Sequence, residues 1–215
     1  MKSGKPEYFP GKSGIIWISL ILVSFTVIFA GCITRKSVET KYYILEYPQD
    51  IMVNIADNLT PVPKSCLVLP VNVYPAFSTN QIAIRENSHE IRYFSFNQWA
   101  VRPEQSLTRI LDDFLIRHNI YKNIYHPSLI HDADHIMETT VYNLEVISEG
   151  RDYYARLSVD YKLLESETRQ IIYQHRADRK KKLAGRNLNY FAEETSKIFI
   201  EETGEFTRGF LSVLQ

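Results

Sequence analysis

The chain has 215 residues, 45% of them hydrophobic, with 25 basic and 25 acidic residues and a formal net charge of zero. That balance excludes the strongly basic footprint of a nucleic-acid-binding protein, and the apolar fraction excludes a disordered or low-complexity chain. Two cysteines exclude a disulfide framework, and 14 Tyr against 8 Gly point to a globular, strand-rich protein.

Lys2, Lys5 and Lys12 precede sixteen uncharged residues, 15–30, and Gly31-Cys32 follows. A basic segment, an apolar core and small residues before a cut site make a secretory signal. Ala30-Gly31-Cys32 resembles the bacterial lipobox, with Phe29 where Leu is usual. That resemblance implies cleavage before Cys32 and acylation of Cys32 as the first mature residue. Two or more acyl chains anchor stably, each buried CH2 contributing about 0.8 kcal/mol. The alternative is an uncleaved anchor: residues 15–33 are mostly apolar, and about 20 such residues span a bilayer. Ile33 is not the Asp that commonly retains lipoproteins in the inner membrane, so the expected site is the outer membrane, facing the periplasm. Loss of residues 1–31 leaves 184 residues with 22 basic and 24 acidic side chains, the size of one domain. The expected organisation is a signal peptide (1–31), a tether (32–40) and one α+β periplasmic domain (41–215).

Residues 41–47 read as a first strand stopped by Pro48, and 49–64, with Asn54, Asp57, Asn58, Pro61 and Pro63, as a loop. Residues 66–74 read as a second strand, with Leu67, Leu69, Val71 and Val73 on one face at period two. Pro70 marks it as an edge or bulged strand. Cys66 reads as a small buried hydrophobe. Residues 81–85 and 90–96 flank a turn and form a hairpin. Pro103 at the first helical position and Glu104 in the first turn open a helix. Its stripe is Leu107, Ile110, Leu111, Phe114 and Leu115, and it ends near His118-Asn119. Residues 120–125 read as a short strand.

Residues 136–147 read as a long strand with Tyr142, Leu144 and Val146 on one face and Asn143 and Glu145 on the other. Residues 151–163 alternate cleanly: Tyr153, Ala155, Leu157, Val159, Tyr161 and Leu163 against Tyr154, Arg156, Ser158, Asp160 and Lys162. A third strand covers 169–176, and a basic loop covers 176–186. Asn187 caps a final helix from Leu188 to about Val213, where Gly204 predicts a kink or break. The fold class read from this order is α+β, a mostly antiparallel sheet with two helices packed on one face.

His126, His131, Asp132, Asp134 and His135 cluster before a strand. Without an HExxH helix they read as a solvated loop, with an adventitious zinc site as the alternative. Arg176, Arg179, Lys180, Lys181, Lys182 and Arg186 form a basic run. It reads as a solvated hairpin end or, for Arg179 to Lys182, as a contact for lipid headgroups. Trp99, with Tyr93, Phe94 and Phe96, reads as an interaction surface or as packing beneath the first helix. Arg85 and Arg92 are further candidates for partner or lipid contact. No serine elbow, phosphate loop or Cys/His nucleophile pair is present, so no catalysis and no cofactor is expected.

The succession of segments resembles the auxiliary lipoproteins of ABC-type lipid transporters, the PqiC-like group. The residues that carry it follow Cys32: Tyr42-Tyr43-Ile44-Leu45, then Leu69-Pro70-Val71-Asn72-Val73-Tyr74-Pro75. Gln81-Ile82-Ala83-Ile84-Arg85 comes next, then a turn, then Arg92-Tyr93-Phe94-Ser95-Phe96-Asn97-Gln98-Trp99-Ala100 before a helix. The chain departs from the group at residues 75–80, where many relatives carry a Leu-x-Arg turn. The resemblance implies a non-catalytic, outer-membrane-anchored partner of an MCE-type transporter, docking an MCE protein and its ABC ATPase and permease. It also implies phospholipids or other lipids as cargo and a homo-oligomeric state. A structural or assembly lipoprotein of the envelope, unrelated to MCE transport, is the alternative.

Overall fold

The computed structural model describes residues 38–49, 51, 53–55, 60–127 and 132–214. The signal segment 1–31, the lipidation candidate Cys32, the start of the tether, part of the 49–64 loop and His131 lie outside the described residues. Thr40–Gln215 is one compact unit. In chain order it holds β1 (Lys41–Tyr43), β2 (Val62–Val68), β3 (Asn72–Val73), β4 (Gln81–Asn87), β5 (Glu90–Trp99) and α1 (Pro103–Arg117). Then come β6 (Tyr121–Tyr125), β7 (His135–Glu149), β8 (Asp152–Glu165), β9 (Ile171–Lys182) and α2 (Leu188–Leu214).

β7 is the spine of the sheet. Along one edge it pairs with β8 for its full length, antiparallel, from His135 opposite Glu165 to Glu149 opposite Asp152. Along the other edge it takes three strands end to end, all parallel. Cys66 of β2 lies opposite His135, Asn72 of β3 opposite Thr140, and Ala83 of β4 opposite Glu145. β6 flanks β2, β5 flanks β4, β1 flanks β5, and β9 flanks β8. The sheet is therefore mixed, which corrects the mostly antiparallel expectation. The long ladders β7–β8, β8–β9 and β4–β5 are antiparallel, whereas the short pairs β1–β5, β2–β6, β2–β7, β3–β7 and β4–β7 are parallel. Parallel pairing needs a crossover, and α1 lies within the crossover between β4 and β7.

The core lies between this sheet and the helices. Ala155, Leu157, Val159, Tyr161 and Leu163 of β8 are buried, as are Phe191, Ile198, Phe199, Phe206 and Phe210 of α2. The Tyr161 ring stacks on Phe206 with centroids 5.2 Å apart. α2 lies against β8, β9, β1 and α1, and α1 also touches β3. The stripe predicted for α1 is buried throughout. The helix closes through Asn119 at φ 49, a left-handed position that Asn tolerates better than most residues. Asn187 Oδ1 accepts the Asn189 N–H at 3.0 Å and so caps α2.

Four expectations need correction. The run 66–74 is two strands, broken where Pro70 has no N–H to give. Cys66 and Val68 point inward before the break, and Val71 and Val73 after it. β2 is not an edge, because it lies between β6 and β7. In β7 a bulge between Val141 and Asn143 inserts Tyr142 as an extra residue. Tyr142 is thereby exposed, and Met137, Thr139 and Val141 continue inward as Leu144 and Val146. The 176–186 loop is in fact strand as far as Lys182. Finally, α2 is unbroken at Gly204, where Val53 occupies the space a Cβ would need.

Candidate docking surface

β9 carries the basic run, and its period-two geometry sends alternate side chains to opposite faces. On the helix side, His175 Nε2 lies 2.7 Å from Glu202 Oε2, and Arg179 Nε donates to Glu202 Oε1 at 2.5 Å. Lys181 Nζ donates to Glu201 Oε2 at 2.8 Å. On the opposite face, Gln174 and Arg176 bond to Asp160, and Arg156 of β8 grips Asp178 through two bonds of 3.0 and 2.8 Å. Lys180 Nζ donates to Glu149 at 2.6 Å and lies 4.4 Å from the Tyr154 ring centroid, while Lys182 donates to Asp152 at 2.6 Å. The hydrogen bonds from Arg156 hold the Asp178 carboxyl below the usual carboxylate range. Arg179, Lys180, Lys181 and Lys182 therefore divide between two faces, each matched to an acid. That pairing leaves little uncompensated charge for an anionic headgroup.

Arg85 and Glu145 lie near the ends of β4 and β7 that lead into the turns. Glu145 has no exposed side-chain surface. Its carboxylate accepts from Arg85 Nε at 2.9 Å, Asn143 Nδ2 at 3.3 Å and Arg156 Nη1 at 3.4 Å. Arg85 also donates to the Ser88 carbonyl at 3.0 Å, tying the β4–β5 turn to β7. Arg92 is exposed and pairs with Glu86 at 2.9 Å. Trp99 is 1% exposed, which corrects its reading as a contact surface. The last residue of β5 faces inward beside Tyr43, and the Trp99 ring packs 5.7 Å from Phe191 of α2.

Among the described residues, the histidines of the predicted cluster make separate contacts. His126 faces Asp112 at 3.8 Å, whereas His135 is buried in the sheet. Among the described residues no group of three or more His, Cys, Asp or Glu could hold a metal ion. Lys64 Nζ lies 3.5 Å from His135 Nε2, and Tyr121 Oη lies 3.0 Å from Nδ1. Lysine only donates, so Nε2 accepts and Nδ1 carries the proton toward Tyr121. The Tyr121 hydroxyl also bonds Cys66, whose thiol burial pushes up to about 12. A thiol held protonated in this way is not a nucleophile.

Exposed apolar groups gather elsewhere. Tyr42 is 64% exposed, Phe96 48% and Ile44 42%. Tyr74 and Tyr142 follow the paired residues Val73 and Val141 and are also exposed, and Tyr93 Oη donates to the Ala76 carbonyl at 3.0 Å. The sequence reading singled out the aromatics of β5 but missed Tyr42 as a surface residue. Its alternation with Tyr43 and Leu45, both turned inward, was the available signal. Among the described residues no helix is long and apolar enough to cross a membrane.

Solved structures share this architecture. A DUF330-family protein from Xanthomonas campestris superposes with a TM-score of 0.65 at 14% identity, covering 80% of this chain and 94% of that one. A second, uncharacterized protein gives 0.61 at 14% identity, covering 80% and 98%. At such identity the likeness establishes the fold. No curated protein sequence matches the chain. The family model for the ABC-type transport auxiliary lipoprotein component matches residues 52–201, from before β2 into α2. The chain thus belongs to the family of ABC-type transport auxiliary lipoprotein components.

Proposed function

We propose that the protein is a non-catalytic docking component of an MCE-type lipid transport system. Acylated Cys32 holds it at the outer membrane, and its folded body meets the MCE protein in the periplasm as a homo-oligomer. Phospholipid is the cargo. The observation that carries this reading is the family match across residues 52–201. The internal chemistry agrees with a scaffold role: Glu145 and Glu202 each hold strands or a helix in place, and the Cys66 thiol is buried and protonated.

The test is purification of the full-length protein from its own envelope after crosslinking, with mass spectrometry of partners and of the mature N-terminus. The expected result is an MCE protein with its ATPase and permease, an acylated Cys32, and a native mass above one protomer. An acylated Cys32 without transporter components would overturn the transport role and leave an envelope assembly lipoprotein. An intact Met1 would overturn the lipidation.

A further inference from the structure

Tyr42 and Phe96 stand where the folded unit meets its tether. β1 runs parallel to β5 with Tyr42 opposite Gln98. Phe96 lies two residues before Gln98, within the irregular part of the β4–β5 register, and its ring is exposed like that of Tyr42. Among the described residues β1 has no strand on its outer side. Ile44, two residues beyond Tyr42, adds a third exposed apolar side chain.

The chain length restricts what this corner can meet. Lys41 stands nine residues after Cys32. Nine residues reach at most about 30 Å at full stretch. A folded body the size of Thr40–Gln215 is on the order of 40 Å across. An anchor at Cys32 therefore keeps β1 nearer to the leaflet than the far side of the domain. The connecting stretch is basic, with Arg35, Lys36 and Lys41 against Glu39, and Lys41 is exposed. Cations in that position are drawn to anionic lipid. The β9 edge differs, since its cations are taken up by acids of the same chain.

We propose that the β1–β5 corner is a membrane-contact surface that seats Tyr42 and Phe96 at the headgroup level of an anionic bilayer. Aromatic side chains favour that depth, where the ring is shielded from water and the tyrosine hydroxyl stays wet. The inference rests on the anchored reading of Cys32. It fixes which side of the domain faces lipid and leaves the opposite side for the transporter.

The test uses the full-length, membrane-purified protein in vesicles of phosphatidylethanolamine and phosphatidylglycerol, with and without brominated acyl chains. Tyr42→Trp and Phe96→Trp are made in a Trp17→Phe background, with Ile171→Trp on the β9 edge as the control. Buried Trp99 is the common reference. The expected result is loss of the added emission at positions 42 and 96 on brominated vesicles, with position 171 unchanged. Quenching at 42 and 96 no greater than at 171 would overturn the proposal. Hydrogen exchange of the unsubstituted protein repeats the test without mutation. Residues 40–44 and 94–98 gain protection on vesicles relative to detergent if the proposal holds and gain none if it fails. The mass of the N-terminus, measured on the same samples, decides the anchor reading separately.

Discussion

Arg85 and Glu145 join β4 to β7 through a 2.9 Å contact in which the carboxylate has no exposed side-chain surface. Arg156 and Asn143 complete its bonding. Removing one partner of a buried pair strands the other charge, at a cost of about 3 kcal/mol. Because Arg156 still reaches Glu145, Arg85→Ala is expected to cost less than that, about 2 kcal/mol in urea denaturation. The double variant Arg85→Ala/Glu145→Met is expected to cost less than the sum of the singles. Additivity would show that the two side chains act independently.

His135 predicts acid sensitivity. Burial, and then the Lys64 charge, lowers its pKa from the ordinary 6.5. The unfolded chain therefore binds a proton before the folded one does. The stability from this group is fully present above about pH 6.5 and is lost as pH falls toward the lowered folded value. Urea midpoints at pH 7.5, 6.5 and 5.5, read as order-of-magnitude sampling of that window, are expected to fall. His135→Gln is expected to flatten the decline. An unchanged slope in that variant would assign the effect to other groups.

Gly209 predicts a sign reversal. Glycine to alanine in an open helix stabilises by about 1 kcal/mol. Here the Tyr173 ring and hydroxyl lie where the new methyl would go. Gly209→Ala is expected to lower stability by about 1–3 kcal/mol through overpacking, read from the thermal midpoint. Adding Tyr173→Leu is expected to recover part of the loss.

Tyr161 sends its hydroxyl from β8 into α2, 3.2 Å from the Phe199 carbonyl and 3.0 Å from Thr203 Oγ1. Tyr161→Phe keeps the ring stack and removes the bond. The expected loss is about 1 kcal/mol, measured by denaturation. A neutral result would mean that the Thr203 bond to Phe199 suffices alone.

Helix α1 and strand β8 were legible because one physical rule governs each: an apolar stripe beneath a proline start, and an unbroken alternation. β9 was cut short at Arg176 because the rest of the strand is polar on both faces. Its order comes from acids on β8, α2 and the β7–β8 turn, which hydropathy does not register. Tyr142 was placed with Leu144 because a bulge leaves no mark in composition. Glu145 was placed on the face opposite Leu144 and Val146, but its burial depends on Arg85, sixty residues earlier in the sequence. Arg179 to Lys182 looked like a free cationic patch for the same reason: their partners are distant in sequence.

The end-to-end seating of β2, β3 and β4 on one edge of β7 bears on the order of folding. Cys66, Asn72 and Ala83 meet partners at His135, Thr140 and Glu145, so the edges of β2, β3 and β4 that face β7 have no partner until the second half is synthesised. The β7–β8–β9 meander closes through short turns, and such local contacts form ahead of distant ones. A chain threaded across a membrane from its N-terminus would thus emerge with β3 unpaired and with β2 and β4 each open along one edge. That interval is a window for aggregation, and it makes this stretch the place where a holdase would be needed most.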